Sequence, residues 1–266
     1  VRHGARSIAL VGRSMPGDAA REAVEALRRA GARVEVFQAD VGEPAEVDDL
    51  LAAVREKMLP LRGLIHAAGV LDDALLVNQS PAHFLRVLAP KLRAAWLLHR
   101  ATLDEPLEMF VLYASASGLL GLPGQANYAA ANAALDALAE HRASLGLPAQ
   151  AIDWGPWEGA GMAQTLGSDG MGRISPAAGA AVLGQLMARR PGHVAVLPTG
   201  WQAGLRKGLG STGLLAGFAA AMPPQDGGPA APPFRARLEA AGTEERARLL
   251  RAHVRQLVAT ALEFPA

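Results

Sequence analysis

The sequence contains no cysteine, and this absence removes several classes of protein from consideration. Without thiols the chain can form no disulfide framework, no thiolate nucleophile and no cysteine-based metal site. Half of the residues are hydrophobic. No apolar run, however, approaches the roughly 20 residues that a membrane span requires.

Positive and negative charges are nearly balanced, because the chain has 26 Lys and Arg and 25 Asp and Glu, which gives a net charge of +1. This balance gives no reason to expect a nucleic acid or a membrane surface as partner. The first residues also lack the positive, apolar and small-residue order that is typical of a signal peptide. We therefore expect a cytoplasmic protein.

Short apolar segments alternate with amphipathic segments along most of the chain. Strands are predicted at 7–11, 34–37, 64–66, 109–112, 149–153 and 194–197. Helices are predicted at 15–30, 43–58, 81–88, 91–103, 125–145 and 176–188, with Pro90 separating the third from the fourth. Strands and helices alternating at these lengths predict an α/β fold with a Rossmann-like, doubly wound parallel sheet.

The strongest chemical pattern lies between the predicted strand 109–112 and the helix that follows it. Ser115 comes just after the strand, and the helix carries Tyr128 and Asn132. Residues four apart on a helix share one face, so the phenol and the amide should lie together near the serine hydroxyl. Such a group can hand a proton to a carbonyl oxygen. Alternatively, a tyrosine in an amphipathic helix and a serine after a strand are ordinary structural residues.

A third residue favours the catalytic interpretation. In most short-chain dehydrogenases/reductases a lysine follows the tyrosine by four positions, whereas here that position is Asn132 and Lys91 lies upstream. This exchange, with Ser115 and Tyr128, resembles the ketoreductase domains of modular type I polyketide synthases, a branch of that superfamily. The resemblance runs from about Arg6 to about Trp201.

The resemblance implies a reaction and a role for each residue. NADPH would reduce a β-ketoacyl thioester carried by an acyl carrier protein, and Tyr128 would donate the proton to the carbonyl oxygen. Lys91 would hold the nicotinamide ribose, and its positive charge should lower the pKa of the phenol from its usual value near 10. Ser115 would polarise the ketone, and Asn132 would support the site and its water network.

Candidate cofactor-binding residues follow three of the predicted strands. Arg13 follows strand 7–11, where a guanidinium would suit the 2′-phosphate of NADPH, whereas NAD-binding proteins place an acid. An exposed loop arginine is the alternative. By resemblance, two further segments would contact the adenine ring and the adenosine ribose, namely Asp40 and Val41, and Ala67, Ala68 and Gly69. The small residues would let the backbone approach the cofactor.

The glycine-rich G-x-G-x-x-G turn of dinucleotide-binding folds is absent. Residues 1–4 resemble the end of the helix that follows that turn. We therefore expect the first strand and glycine loop to lie upstream, and residues 1–266 to be a fragment that is inactive by itself. That strand would lie between strands 7–11 and 64–66, so a gap is predicted there.

Residues of one loop and of the predicted helix 125–145 indicate the stereochemistry of the reduction. Leu71, Asp72 and Asp73 resemble the marker of B-type reduction, which gives the D-configured hydroxyl. The A-type marker would be a tryptophan at the position of Gln125, and Ala130 replaces the proline of epimerising B-type enzymes. The alternative is that the two aspartates are ordinary loop or helix-cap residues.

Composition divides the chain into three parts. Residues 1–221 would be the ketoreductase domain, 222–233 a Pro/Gly-rich linker, and 234–266 a helical connection that begins an acyl carrier domain. The tail could instead pack on the same domain. Two other functions remain open, a stand-alone reductase of a small ketone and a non-catalytic module bracing neighbouring synthase domains. The scattered histidines predict no metal site.

Overall fold

The computed structural model describes residue 1 and residues 4–159, 172–189, 191–198 and 234–261. The chain divides into two compact units, Val1–Ala220 and Ala221–Ala266. The predicted linker 222–233 lies outside the described residues. Within the part that is described, no helix is long and apolar enough to cross a membrane.

Strands and helices alternate in the first unit, as predicted. The strands are β1 (Ser7–Gly12), β2 (Arg33–Gln38), β3 (Gly63–His66), β4 (Met109–Ser115), β5 (Gln150–Trp154) and β6 (His193–Val196). The helices are α1 (Asp18–Arg29), α2 (Pro44–Lys57), α3 (Pro81–Leu88), α4 (Ala94–Ala101), α5 (Ser117–Leu120), α6 (Ala126–Ser144) and α7 (Pro176–Arg189). A 3₁₀ turn spans Leu76–Asn78, and a π-helical turn spans Ala89–Arg93.

All paired strands run parallel, which confirms the predicted α/β class. β4 and β5 are covered on both faces, and all five residues of β5 are buried, including the polar Gln150 and Asp153. One face packs against α2, α4 and α6, in a core that includes Leu51, Leu98, Leu112, Leu135 and Ala151. The other face packs against α7, where Val111, Ile152 and Trp154 contact Val182, Leu183 and Leu186.

The strands form two hydrogen-bonded sheets, β1–β2 and β3–β4–β5–β6. β1 does not pair with β3, and a cleft of about 560 Å³ is lined by residues of both strands. Three apolar side chains on these strands are exposed, Leu10 at 37%, Val11 at 43% and Ile65 at 46%. The gap predicted between strands 7–11 and 64–66 is therefore confirmed.

The segment around Pro90 differs from the prediction. The two helices are joined by the π-helical turn Ala89–Arg93 instead of being separated. Proline has no N–H to donate to the preceding helical turn. The chain accommodates it with a wider turn, in which the N–H of Ala94 reaches the carbonyl oxygen of Ala89. Turns of this type are frequent at functional sites, and this one carries Lys91.

The second unit contains α8 (Phe234–Ala240) and α9 (Thr243–Ala261). The charged amphipathic pattern of this tail predicted one or two helices, and two are present. Arg246 links the pair, because its guanidinium donates to the carbonyl oxygens of Leu238 and Ala241 at 2.9 and 3.1 Å.

Candidate active site

The end of β4, the start of α6 and the π-helical turn meet at one point, and they bring the four predicted catalytic residues together. Ser115 is the last residue of β4. Tyr128 and Asn132 lie on the buried face of α6, and Lys91 is 2% exposed. Lys91 Nζ lies 5.1 Å from the centroid of the Tyr128 ring and donates a hydrogen bond to the carbonyl oxygen of Tyr113 at 3.1 Å.

The pKa of Tyr128 differs from the expectation. Burial raises it above its usual value, and hydrogen bonds with the side chains of Ser115 and Asn132 only partly oppose this effect. The net lowering predicted for this pKa is therefore wrong for this structure, in which the ammonium lies over the ring face and burial has the larger effect. A phenol with a pKa near 10 or above is protonated at neutral pH, as a proton donor must be.

Lys91 itself is strongly affected by its surroundings. Burial lowers its pKa from 10.5 to about 8, although the carboxylates of Asp153 and Asp136 act in the opposite direction. A second buried group fixes the backbone of the lysine, because Nε2 of His66 lies 3.0 Å from the carbonyl oxygen of Lys91. Burial lowers the pKa of His66 to about 4, so its ring is neutral near pH 7 and can donate this bond as the Nε2–H tautomer.

Asn132 connects the helix to the serines. Its Nδ2 donates to the carbonyl oxygen of Tyr128 at 2.7 Å and reaches Ser117 Oγ at 3.5 Å. The Ser117 hydroxyl in turn donates to Ser115 Oγ at 3.1 Å. Oδ1 of Asn132 is buried and has no hydrogen-bond partner among the described residues, so it remains available as an acceptor.

The predicted stereochemical loop lies against the start of α6. Leu71 packs against the cluster of Val87, Tyr128 and Ala131. The side chain of Gln125 donates to Asp73 Oδ2 at 2.9 Å. A residue that the sequence interpretation missed holds this loop in place. Asn127 is fully buried, and its Nδ2 donates to the carbonyl oxygen of Asp72 at 2.7 Å.

The cleft between β1 and β3 gathers the predicted cofactor residues. Its lining includes Arg13, Asp40, Val41, Ala67, Ala68 and Gly69. Lys91 is not part of this lining, although its neighbour Pro90 is. The guanidinium of Arg13 is exposed and has no partner among the described residues, while Gln38 Nε2 fixes its backbone by donating to its carbonyl oxygen at 3.1 Å. An uncommitted cation and a turn of small residues fit a phosphorylated dinucleotide.

A second cluster, not anticipated from the sequence, lies behind Lys91. His193 Nε2 is 2.8 Å from Asp153 Oδ2 and 3.6 Å from Asp136 Oδ1. The three side chains offer ligand atoms within 4.8 Å of one another, so they could in principle hold a cation. One sequence signal did exist, because Tyr128, Asn132 and Asp136 recur at intervals of four on a single face of α6.

Burial dominates the electrostatics of this cluster. It raises the pKa of Asp136 to about 7, with the nearby charge of Asp153 acting in the same direction. It also raises the pKa of Asp153. Burial alone would lower the pKa of His193, but the hydrogen bond to Asp153 and the charge of Asp136 raise it overall.

The sequence profile of the KR domain matches residues 1–159. The chain belongs to the KR, or ketoreductase, family of polyketide synthase domains. It is 48% identical over 174 residues to the spectinabilin polyketide synthase system protein NorB of Streptomyces orinoci, a match covering 64% of this chain and 8% of NorB. The chain thus spans less than a tenth of the length of that relative.

Solved ketoreductase structures share the fold. The first ketoreductase of the tylosin polyketide synthase aligns with a TM-score of 0.69 at 38% identity, over 77% of this chain and 46% of that one. A structure of A-type ketoreductases from a modular polyketide synthase aligns with a TM-score of 0.71 at 33% identity, over 77% and 45%. These similarities confirm the predicted family and fold of a ketoreductase domain.

Proposed function

We propose that this domain uses NADPH to reduce a β-ketoacyl thioester, carried by an acyl carrier protein, to the D-configured β-hydroxyacyl thioester. The observation that carries the proposal is the meeting of Tyr128, Ser115, Asn132 and Lys91 beside the β1–β3 cleft. The phenol is a protonated donor, the serine is a hydroxyl partner, and the lysine is a buried cation.

In the proposed reaction, bound NADPH supplies the hydride that adds to the ketone carbon. The chain supplies the proton and the orientation. Ser115 and Tyr128 hydrogen-bond the carbonyl oxygen, and the Tyr128 proton moves to that oxygen as negative charge develops on it. Lys91 stabilises the phenolate that remains, and Asn132 accepts or donates a hydrogen bond within the water network that reprotonates it.

The lining of the cleft provides the proposed cofactor contacts. Arg13 would bind the 2′-phosphate, Asp40 and Val41 the adenine, and the Ala67–Gly69 turn the adenosine ribose. Lys91 would hold the nicotinamide ribose from the edge of the cleft. Because β1 and β3 do not pair, no continuous sheet would lie beneath the cofactor. We therefore expect weak NADPH binding by residues 1–266 alone.

The stereochemical proposal is based on the loop that borders Tyr128. Asp73 is held by Gln125, and Leu71 packs against the cluster that contains Tyr128, so this loop would limit how a substrate can approach. We assign B-type reduction to this arrangement, without inversion of an α-methyl group.

For the chain as a whole, we propose that 1–221 is the catalytic domain, 222–233 a linker and 234–266 the start of a carrier domain, within a larger cytoplasmic synthase.

A product analysis tests this function. Because residues 1–266 are expected to be inactive by themselves, the larger synthase proposed to contain them is incubated with NADPH and an α-methyl-β-ketoacyl N-acetylcysteamine thioester. A simple cyclic ketone serves as the comparison substrate. Chiral chromatography should show the D-configured hydroxyl with the α-methyl group unchanged. A predominantly L-configured product would refute the B-type assignment, and reduction of the simple ketone alone would favour a stand-alone reductase.

A further inference from the structure

The acids behind Lys91 form a cluster that the proposed reaction does not use. We name Asp136, Asp153 and His193 the counter-ion cluster, and its members come from α6, β5 and β6. Asp153 is completely buried and Asp136 is 8% exposed. Each also has one side-chain oxygen, Oδ1, that lacks a hydrogen-bond partner among the described residues.

Lys91 needs a compensating charge. Its ammonium is almost completely buried, and its contacts with the Tyr113 carbonyl oxygen and the Tyr128 ring are to uncharged groups. Burying a cation without an opposite charge is costly, and a lysine in that situation usually loses its proton. Asp153 pairs in register with Ala114 of β4, beside Tyr113, whose carbonyl oxygen accepts the hydrogen bond from Lys91. The negative charges of Asp153 and Asp136 favour the protonated lysine.

We infer that the counter-ion cluster keeps Lys91 positively charged and thereby sets the upper pH limit of the proposed reduction. The catalytic part of this inference rests on the proposed function, whereas the effect on the charge of Lys91 does not. A bound metal ion is a poorer interpretation of the same three residues, because the charge of Lys91 already acts on both carboxyl groups and His193 already hydrogen-bonds Asp153.

The surrounding titratable groups determine the direction of the effect. Glu140 on α6 adds negative charge near Asp136 and His193, and His66 on β3 is neutral near pH 7. With both aspartates present, the pKa of Lys91 is about 8. Removing the Asp153 charge leaves the effect of burial less opposed, so the pKa of Lys91 falls further and a large fraction of the lysine becomes neutral near pH 7.

The lysine charge can be measured directly, because the chain contains only Lys57, Lys91 and Lys207. The full 266-residue chain is labelled with ¹³C,¹⁵N-lysine, and the side-chain NMR signals are followed through a pH titration. Replacement of Lys57 and Lys207 by arginine assigns the Lys91 signal. We expect Asp153→Asn, which keeps the shape of the side chain, to lower the midpoint of Lys91 by about one pH unit or more.

Two further variants complete the design. Asp136→Asn should lower the midpoint by less, since Asp153 has the larger effect on Lys91. It also provides a second test if Asp153→Asn does not fold. Asp48→Asn, which removes an exposed acid on α2, is the matched control and should leave the midpoint unchanged. An unchanged Lys91 midpoint in either folded cluster variant would overturn the inference.

A kinetic readout separates this inference from the proposed function. The alkaline limit of thioester reduction should move to lower pH in Asp153→Asn by the same amount as the Lys91 midpoint. If the midpoint moves and the alkaline limit does not, the cluster still controls the charge of Lys91, but the proposed catalytic role of that lysine is wrong. If both remain unchanged, the counter-ion role is wrong.

Discussion

The two sides of the candidate active site differ in how the chain closes them. On the side of β4 and β5, Ile152 is completely buried and Phe110 is 1% exposed. On the side of β1 and β3, Val11 is 43% exposed and Ile65 is 46% exposed. These two strands also pair in parallel, but with β2 and β4 and not with each other. We call the side of β4 and β5 the closed side and the side of β1 and β3 the open side. The residues proposed for chemistry lie on the closed side, and most of those proposed for cofactor binding line the open side.

This difference suggests that chemistry and cofactor binding can be changed separately. The closed side holds the side chains of Asn132 and Lys91 through hydrogen bonds to the carbonyl oxygens of Tyr128 and Tyr113. The open side offers Arg13 and a turn of small residues, but the strand edges beneath them are not joined. Substitutions on one side should therefore affect stability or turnover, and substitutions on the other should affect cofactor affinity.

The largest expected effect compares two isoleucines. Ile152→Ala should destabilise the fold by about 2–5 kcal/mol, because it creates a cavity in a close-packed region. Ile65→Ala should cost much less, since about half of its side chain is already exposed to water. Urea unfolding of both variants measures the difference. Equal losses of stability would show that the cleft is closed in solution.

A smaller effect is expected from Arg13 on the open side. Arg13→Ala should weaken NADPH binding by about tenfold or more, since a charge-assisted contact to phosphate contributes roughly 1.5–3 kcal/mol. NADH affinity should hardly change. The matched control is Arg29→Ala, at the exposed end of α1, and fluorescence titration with both cofactors measures the affinities. Equal weakening of NADPH and NADH would remove Arg13 from the phosphate site.

The smallest effect concerns His66, which lies at the boundary between the two sides. Its pKa is about 4 in the fold and 6.5 as a free side chain. The folded state therefore binds fewer protons, and the stability contributed by neutral His66 is lost as the pH falls from 6.5 towards 4. Between about pH 7 and about pH 5 this loss amounts to about 2 kcal/mol.

The variant His66→Gln isolates this contribution, because glutamine keeps an N–H donor for the Lys91 carbonyl oxygen but does not titrate. Asp136 has a raised pKa and changes stability in the opposite direction, but it does so equally in both proteins. Urea unfolding at the two pH values should show the wild type losing about 2 kcal/mol more than the variant. The same pH dependence in both proteins would contradict a buried, neutral His66.

Much of this fold could be predicted because local patterns determine it. Apolar runs such as 109–112 marked the strands, and the four-residue spacing of Tyr128 and Asn132 marked one helix face. Even the gap between β1 and β3 followed from strand order. Ser115, three residues after the apolar run 109–112, was expected just after the strand, and it is the last residue of β4.

The remaining features depend on contacts that no local pattern records. The π-helical turn at Pro90 reflects how the chain accommodates a missing N–H while burying Lys91. His193 reaches Asp153 only because β5 and β6 are neighbours in the sheet, so spacing along the chain could not reveal the pair. The raised pKa of Tyr128 reflects burial, which the sequence does not specify for an individual side chain.

The role of Tyr128 is the most direct test of this account, and the chain supplies its own control. Tyr113 and Tyr128 are the only two tyrosines of the chain, so each is replaced by phenylalanine within the larger synthase, and turnover is measured with NADPH and a β-ketoacyl thioester. We predict that Tyr128→Phe lowers turnover by a factor on the order of a hundred or more with NADPH affinity unchanged, whereas Tyr113→Phe retains activity. Turnover by Tyr128→Phe within a few-fold of the wild type would contradict the proposed proton donor.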